Sequence, residues 1–341
     1  MRLRSAGMEP WLGSIAFLLA LFMFFAAPRK ISAQAPPSTS SRYTPADNIL
    51  IDCGATATPT MPDGRVFKTD AQSSPFLSAT DQILASVPSA PGVSSPLYLS
   101  ARIFHEAATY AFQLSRPGWH WIRLHFLPIS SHDFDLTTAV FSVTTDDYVL
   151  LHSFNIDNSS KCVLKEFLIN ATKDRLSLHF SPMRNSAAFI NAIEVVSAPD
   201  VVIPDTATSL FPIGEAGGLS YYAYHTVYRL NIGGSAITST NDTLGRNWSP
   251  DRTTFSHNPP LSRSLLSPRS ITTQMVARRL LPRHLSTHRL CIWPTRVGDP
   301  NFNVTWQLDV DSAFGYLVRL HFCDIIISPL MICTSMFTST A

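Results

Sequence analysis

The sequence predicts an all-β chain of two β-sandwich domains in tandem, the second incomplete. Short apolar runs alternate with polar residues at a period of two, separated by Asp, Asn, Ser and Pro clusters. Hardly any stretch has a helical period, which leaves a sandwich as the natural way to bury such strands. One string occurs twice: residues 121–126 read WIRLHF and residues 317–322 read LVRLHF.

The elements follow in chain order. Arg2 and Arg4 precede an uncharged apolar stretch of 17 residues (11–27) and the small-residue run ISAQA, the pattern of a signal peptide spanning 1–33 and cleaved after Ala33. An uncleaved anchor is the weaker reading, because 17 residues lie at the short limit for crossing a bilayer. Residues 34–46 are a polar, Pro-rich lead-in. The first domain, 47–198, opens with NILIDCG, where Gly54 ends a short strand, and continues through TAVFSV, YVLLHSFNI, RLSLHF and AFINAIEVV.

In WIRLHF, Ile122, Leu124 and Phe126 share one face, expected inside, while Trp121, Arg123 and His125 share the other, expected outside. Each such apolar side chain gains roughly 1.5–3 kcal/mol on burial, so a register slip that buried Arg123 and His125 instead is disfavoured. Residues 199–219, rich in Pro and Gly, read as a linker, and 220–341 as a partial second domain beginning YYAYHTVYRLNIGG.

The neighbourhood of the repeat supports duplication. YAFQLSRPGWHWIRLHF and VTWQLDVDSAFGYLVRLHF share an aromatic before Gln-Leu, a Gly-containing turn and the final Arg-Leu-His-Phe. Upstream, IDCG stands before the first copy as LNIGG stands before the second. Leu124 then matches Leu320 inside, and Arg123 matches Arg319 outside.

A net charge of +2 gives no reason to expect nucleic acid as a partner. Five cysteines without a C-x-x-C pair describe neither a zinc module nor a disulfide-stapled scaffold, and an odd count leaves one thiol over. Asn158, Asn170, Asn241, Asn247 and Asn303 each head an N-x-Ser/Thr acceptor for N-glycosylation, with Pro250 weakening the Asn247 site. No Gly-rich phosphate loop, V-A-I-K, H-R-D or D-F-G is present, so kinase chemistry is not expected of these residues.

Other chemistry is poorly supported. His120, His125, His132 and His152, with Asp133 and Asp135, fit no standard metal spacing, and no metal or cofactor is expected. Asp146, Asp147 and Asp157 sit in turn-like contexts rather than as a hydrolase pair, and there is no G-x-S-x-G elbow. Sugar stacking would use Trp119, Trp121, Tyr221 and Tyr222 as ligand-facing aromatics. Cover of the outer sheet or of an interdomain contact accounts for the tryptophans more simply.

IDCG, FINAIEVVSAPD, TVYRLNIGG, NDTLGRNWSPD, NFNVTW and VRLHFCDI, in that order, resemble the extracellular region of plant malectin-like receptor kinases of the THESEUS and FERONIA type. The resemblance covers about 43–256 and 299–325. It implies a pair of malectin-like, jelly-roll-like β-sandwiches outside the plasma membrane. It also implies, as partners, secreted peptides of the rapid alkalinization factor class, a GPI-anchored co-receptor or cell-wall polysaccharide, with signalling through a kinase elsewhere in the full-length protein. Membrane attachment is expected only through the family's transmembrane segment, which does not appear in the chain as written.

Two departures qualify the resemblance. Residues 257–296 contain seven arginines and no Asp or Glu. An anion-binding patch using Arg278, Arg279, Arg283 and Arg289, a disordered basic loop, or a stretch read in a shifted frame all fit, and the abrupt charge shift favours the last. The tail after Asp324 also leaves the family pattern. The expectation is a truncated receptor ectodomain, folded in its first domain and not in its second; a secreted lectin-like wall protein or soluble decoy is the alternative.

Overall fold

The computed structural model describes residues 43–251 except 72–75, 132–133, 159–160, 233 and the side chain of Phe211; beyond 251 it describes backbone strands between 255 and 340, with side chains at 308–311 and 314–321. The expected signal peptide, the lead-in up to residue 42 and the side chains of 257–296 therefore fall outside the described residues. The described chain is all-β, its helical turns being the 3-10 segments Pro96–Tyr98, Leu136–Thr138, Asp200–Val202 and Leu219–Tyr221.

In chain order the strands are β1 (Asn48–Asp52), β2 (Lys68–Thr69), β3 (Leu77–Ala79), β4 (Gln82–Ser86), β5 (Ser100–Phe104), β6 (Ala108–Gln113), β7 (Gly118–Phe126), β8 (Phe141–Thr144) and β9 (Val149–Phe154). There follow β10 (Val163–Ala171), β11 (Arg175–Pro182), β12 (Ala188–Ile190), β13 (Ala192–Ser197), β14 (Ala207–Phe211), β15 (Ile213–Ala216), β16 (Tyr224–Thr226) and β17 (Leu230–Ile232). The order β10-β7-β13-β1-β2 makes one layer and β3-β6-β11-β8-β9 the other. Between them lies the core predicted from alternation: Ile122, Leu124 and Phe126 of β7 meet Phe112, Phe141 and Phe180 of the facing sheet.

The IDCG turn has a steric reason for its glycine. Gly54 has φ +78, and a Cβ there would stand 2.3 Å from the Ala101 carbonyl oxygen. Beside it a buried polar knot closes the sheet. Asp70 accepts from the Gly54 amide at 3.1 Å, from Arg102 at 2.5 and 2.6 Å and from the Tyr110 hydroxyl at 3.1 Å. Asp52 takes a hydrogen bond from Ser100 at 2.8 Å, and burial together with the Asp70 charge pushes its carboxyl up to about 7.

The C-terminal half is hydrogen-bonded onto this sandwich. Strand β16 pairs antiparallel with β10, matching Phe167 to His225 and Leu168 to Tyr224, so the large sheet continues past β10. Beyond β16 the order runs through Ala277–Arg279, Tyr316–Cys323 and Cys333–Thr340 to β14 and β15. Residues 199–219, read from sequence as a linker, thus contribute a hairpin to the sheet. Its Pro and Gly residues mark turns between short strands rather than an unstructured tether.

Where the sequence led us to expect no core in this half, a small one is present: Leu230, Ile232, Leu308, Val310, Tyr316 and Val318 cluster, with Leu320 against them. A third cluster joins the halves. Leu50, Trp119, Trp121, Leu168 and Val196 from the first sandwich pack with Val202, Ile203, Leu219, Tyr224, Leu244 and Leu317.

Candidate functional site at the junction face of the repeated strand

β7 is buried on both faces, because the C-terminal half covers the side expected to meet solvent. Arg123 is accordingly 2% exposed. This corrects the expected outer position, and register supplies the physical reason. Arg123 stands directly between Glu166 on β10 and Glu194 on β13, so three neighbouring strands place Glu, Arg and Glu in one row. A lone buried charge would be expelled; this one is paired on each side.

Every guanidinium nitrogen of Arg123 has an acceptor. Nε donates to Glu166 at 2.7 Å, Nη1 to Glu194 at 2.8 Å, and Nη2 to the Leu244 carbonyl at 2.8 Å. Arg65 adds a second bond to Glu194 at 2.9 Å. Arg229, from the C-terminal half, donates to both Glu166 oxygens, and Thr226 donates to Glu166 at 2.9 Å. His125 bridges Glu194 at 2.9 Å and the Tyr98 hydroxyl at 3.0 Å.

Burial alone would raise both carboxyls. Arg229 and Arg123 around Glu166, and Arg123, His125 and Arg65 around Glu194, outweigh it and hold both well below the ordinary carboxylate range.

The NDTLGRNW stretch forms the clasp over this cluster. Asp242 accepts from the Leu244 and Arg246 amides at 2.9 and 3.2 Å, curling the loop so that the Leu244 carbonyl reaches Arg123. Gly245 has φ +66, and a Cβ there would meet Arg65 Nη1 at 3.3 Å. The Arg246 guanidinium, held by Asp242 at 2.8 Å, lies 5.4 Å from the Trp121 ring centre and 5.3 Å from that of Trp248. Asp63 and Ser239 add a further hydrogen bond across the junction.

Other sequence-predicted residues scatter. Trp119 and Trp121 are 5% and 1% exposed, buried in the junction cluster rather than presented to a ligand. Tyr222 packs half-buried against the same cluster, while Tyr221 is 80% exposed. Asn158, Asn241 and Asn247 lie on the surface, Asn170 is half-buried at the end of β10, and Asn303 falls in a strand whose side chains lie outside the described residues. His120 bonds Asp47 at 3.1 Å, and no group of residues suited to a metal occurs among the described residues.

A shallow polar cleft opens where the turn Thr145–Tyr148 meets Ala171–Arg175, with Asp146, Asp147, Tyr148, Lys173 and Arg175 on its walls. Asp157 lies apart, in the exposed loop after β9.

Sequence reasoning missed Glu166 and Glu194. The available signal was one acidic residue in the middle of each apolar strand, LKEFLI and AIEVV.

The malectin-like domain model matches residues 51–329, and the chain belongs to that family. It is 47% identical over 92% of its length to a probable receptor-like protein kinase of Arabidopsis thaliana, and 40% identical over 87% to receptor-like protein kinase THESEUS 1 of the same plant. It spans about a third of those relatives, 36% and 35% of their lengths. Among solved structures it is similar to the extracellular domain of ANXUR1 from Arabidopsis thaliana (TM-score 0.66, 21% identity, 86% and 87% of the two chains). It is also similar to a complex of plant peptide RALF23 with FER and LLG2 (TM-score 0.64, 24% identity, 87% of each chain).

Proposed function

We propose that the chain is the extracellular ligand-binding region of a malectin-like receptor kinase, glycosylated in the secretory pathway and acting without enzymatic chemistry of its own. The observation that carries this reading is 47% identity over 92% of the chain to a receptor-like kinase, with the clasp motif NDTLGRNW in structural use at the junction. Two sandwiches, divided near residues 199–219 and fixed by buried charges, present one continuous surface. The related FER ectodomain occurs in a complex with RALF23 and LLG2, which supports a peptide of the alkalinization class and a GPI-anchored co-receptor as partners.

Titrating the immobilised full chain with such a peptide, with and without the co-receptor, tests this. Saturable binding that tightens with the co-receptor is expected; no binding under either condition would sink the reading. A second reading is a lectin-like wall polysaccharide binder, for which the surface around Asp146, Tyr148 and Lys173 is the place to test. Saturable oligogalacturonide binding that is lost in Tyr148→Ala would favour it.

A further inference from the structure

The end of β10 and the 3-10 turn Leu219–Tyr221 meet at the Ser220 carbonyl. Asn170-Ala171-Thr172 is an acceptor sequence at the end of β10. The Asn170 side chain lies half-buried at the end of the junction face, opposite Trp119, where Nδ2 donates to the Ser220 carbonyl at 3.5 Å. The next residue, one peptide unit away, is Tyr221, with 80% of its surface open to solvent.

The tyrosine is held rather than loose. Asp205 fixes the 3-10 turn under it, accepting from the Ser220 amide at 3.1 Å and the Ser220 hydroxyl at 2.6 Å. The Tyr221 amide closes on Gly218 O at 3.2 Å, and the ring edge lies so near Gly218 that a Cβ there would stand 3.3 Å from Cδ2. A large aromatic on a fixed turn, leaving most of its ring area in water, is a plate without a cover. The apolar C–H face of a pyranose is a suitable cover, since an aromatic π-face carries negative potential toward such hydrogens.

We propose that Asn170 carries an N-linked glycan whose first N-acetylglucosamine packs on Tyr221, fastening the 199–221 segment to the end of β10. In forming it, the amide nitrogen attacks C1 of a lipid-pyrophosphate-linked oligosaccharide. The C1–O bond breaks, an N–C1 bond forms, and the amide gives up one proton as the lipid pyrophosphate leaves. Transfer acts on the chain before it folds, so the half-burial of Asn170 in the finished sheet is no obstacle. The product keeps one N–H, enough to retain the bond to Ser220, and the sugar takes the position of the departed hydrogen, beside Tyr221.

The proposal shares secretory placement with the functional reading, and occupancy at the exposed Asn158 or Asn241 reports that placement separately. The full chain, secreted from a glycosylating eukaryotic cell, is mapped by peptide mass spectrometry and then trimmed to a single N-acetylglucosamine per site. Asn170 is expected to be occupied, and the N-acetyl methyl signal of its sugar to move upfield under the Tyr221 ring. Tyr221→Ser should lower the melting temperature by about 2–4 °C, and by nothing in a Thr172→Ala background that removes the acceptor but keeps Asn170. Tyr221→Phe should melt with the parent. An unmodified Asn170, an unshifted methyl signal, or an equal effect of Tyr221→Ser in both backgrounds would overturn the proposal.

Discussion

At Arg123 the three guanidinium nitrogens meet three different acceptors, two carboxylates and a backbone carbonyl. Removing it leaves Glu166 and Glu194 short of a counter-charge in a buried site, so Arg123→Ala is expected to cost about 3–5 kcal/mol in denaturant unfolding. Arg123→Lys recovers only part, because an ammonium cannot span both carboxylates and the Leu244 carbonyl with a planar fork. Asp52 acts through pH. Its folded value of about 7 exceeds the unfolded 3.8, so between those values the folded state holds the extra proton. That contribution is full below 3.8 and is lost as pH rises to about 7, whereas Glu166 and Glu194, held low, contribute above the ordinary carboxylate range and lose it in acid. Thermal melts from pH 4 to 7 should therefore show a falling contribution, at most about 1.4 kcal/mol per pH unit, that Asp52→Asn removes.

Among the elements, the loop 241–248 depends on one backbone conformation. Gly245→Ala forces a side chain into φ +66 and toward Arg65, so it should destabilise by about 1–3 kcal/mol. An equal loss for Gly64→Ala, at φ +80 with nothing within 4 Å, would show that backbone strain alone, and not the approach to Arg65, sets the cost. The strands themselves were legible in the sequence: alternation placed Ile122, Leu124 and Phe126 inside, and the repeat aligned Val318 and Leu320 with a core. What alternation could not reveal was the second burial of β7. Periodicity assigns a side chain to a face but not a cover to that face, and Arg123 with His125 resembles a solvated edge until Glu166 and Glu194 fall into register beside it. Nor could it show 199–219 as a hairpin, since Pro and Gly punctuate turns and tethers alike.

For the whole molecule, the repeated Arg-Leu-His-Phe strand has one use in both copies. Its apolar side builds a local core, and its arginine side turns to the junction, where Arg123 binds the clasp loop and Arg319 donates to Val202 O at 2.6 Å. A sheet continuous from β2 to β15, together with the charge cluster, ties the two halves together, so they are expected to unfold as one cooperative unit.

Calorimetry of the full chain and of Arg123→Ala tests this most directly. A single transition with equal calorimetric and van't Hoff enthalpies is expected, shifted down as a whole by the substitution. Two separate transitions in the parent, with the N-terminal one unmoved in Arg123→Ala, would contradict it.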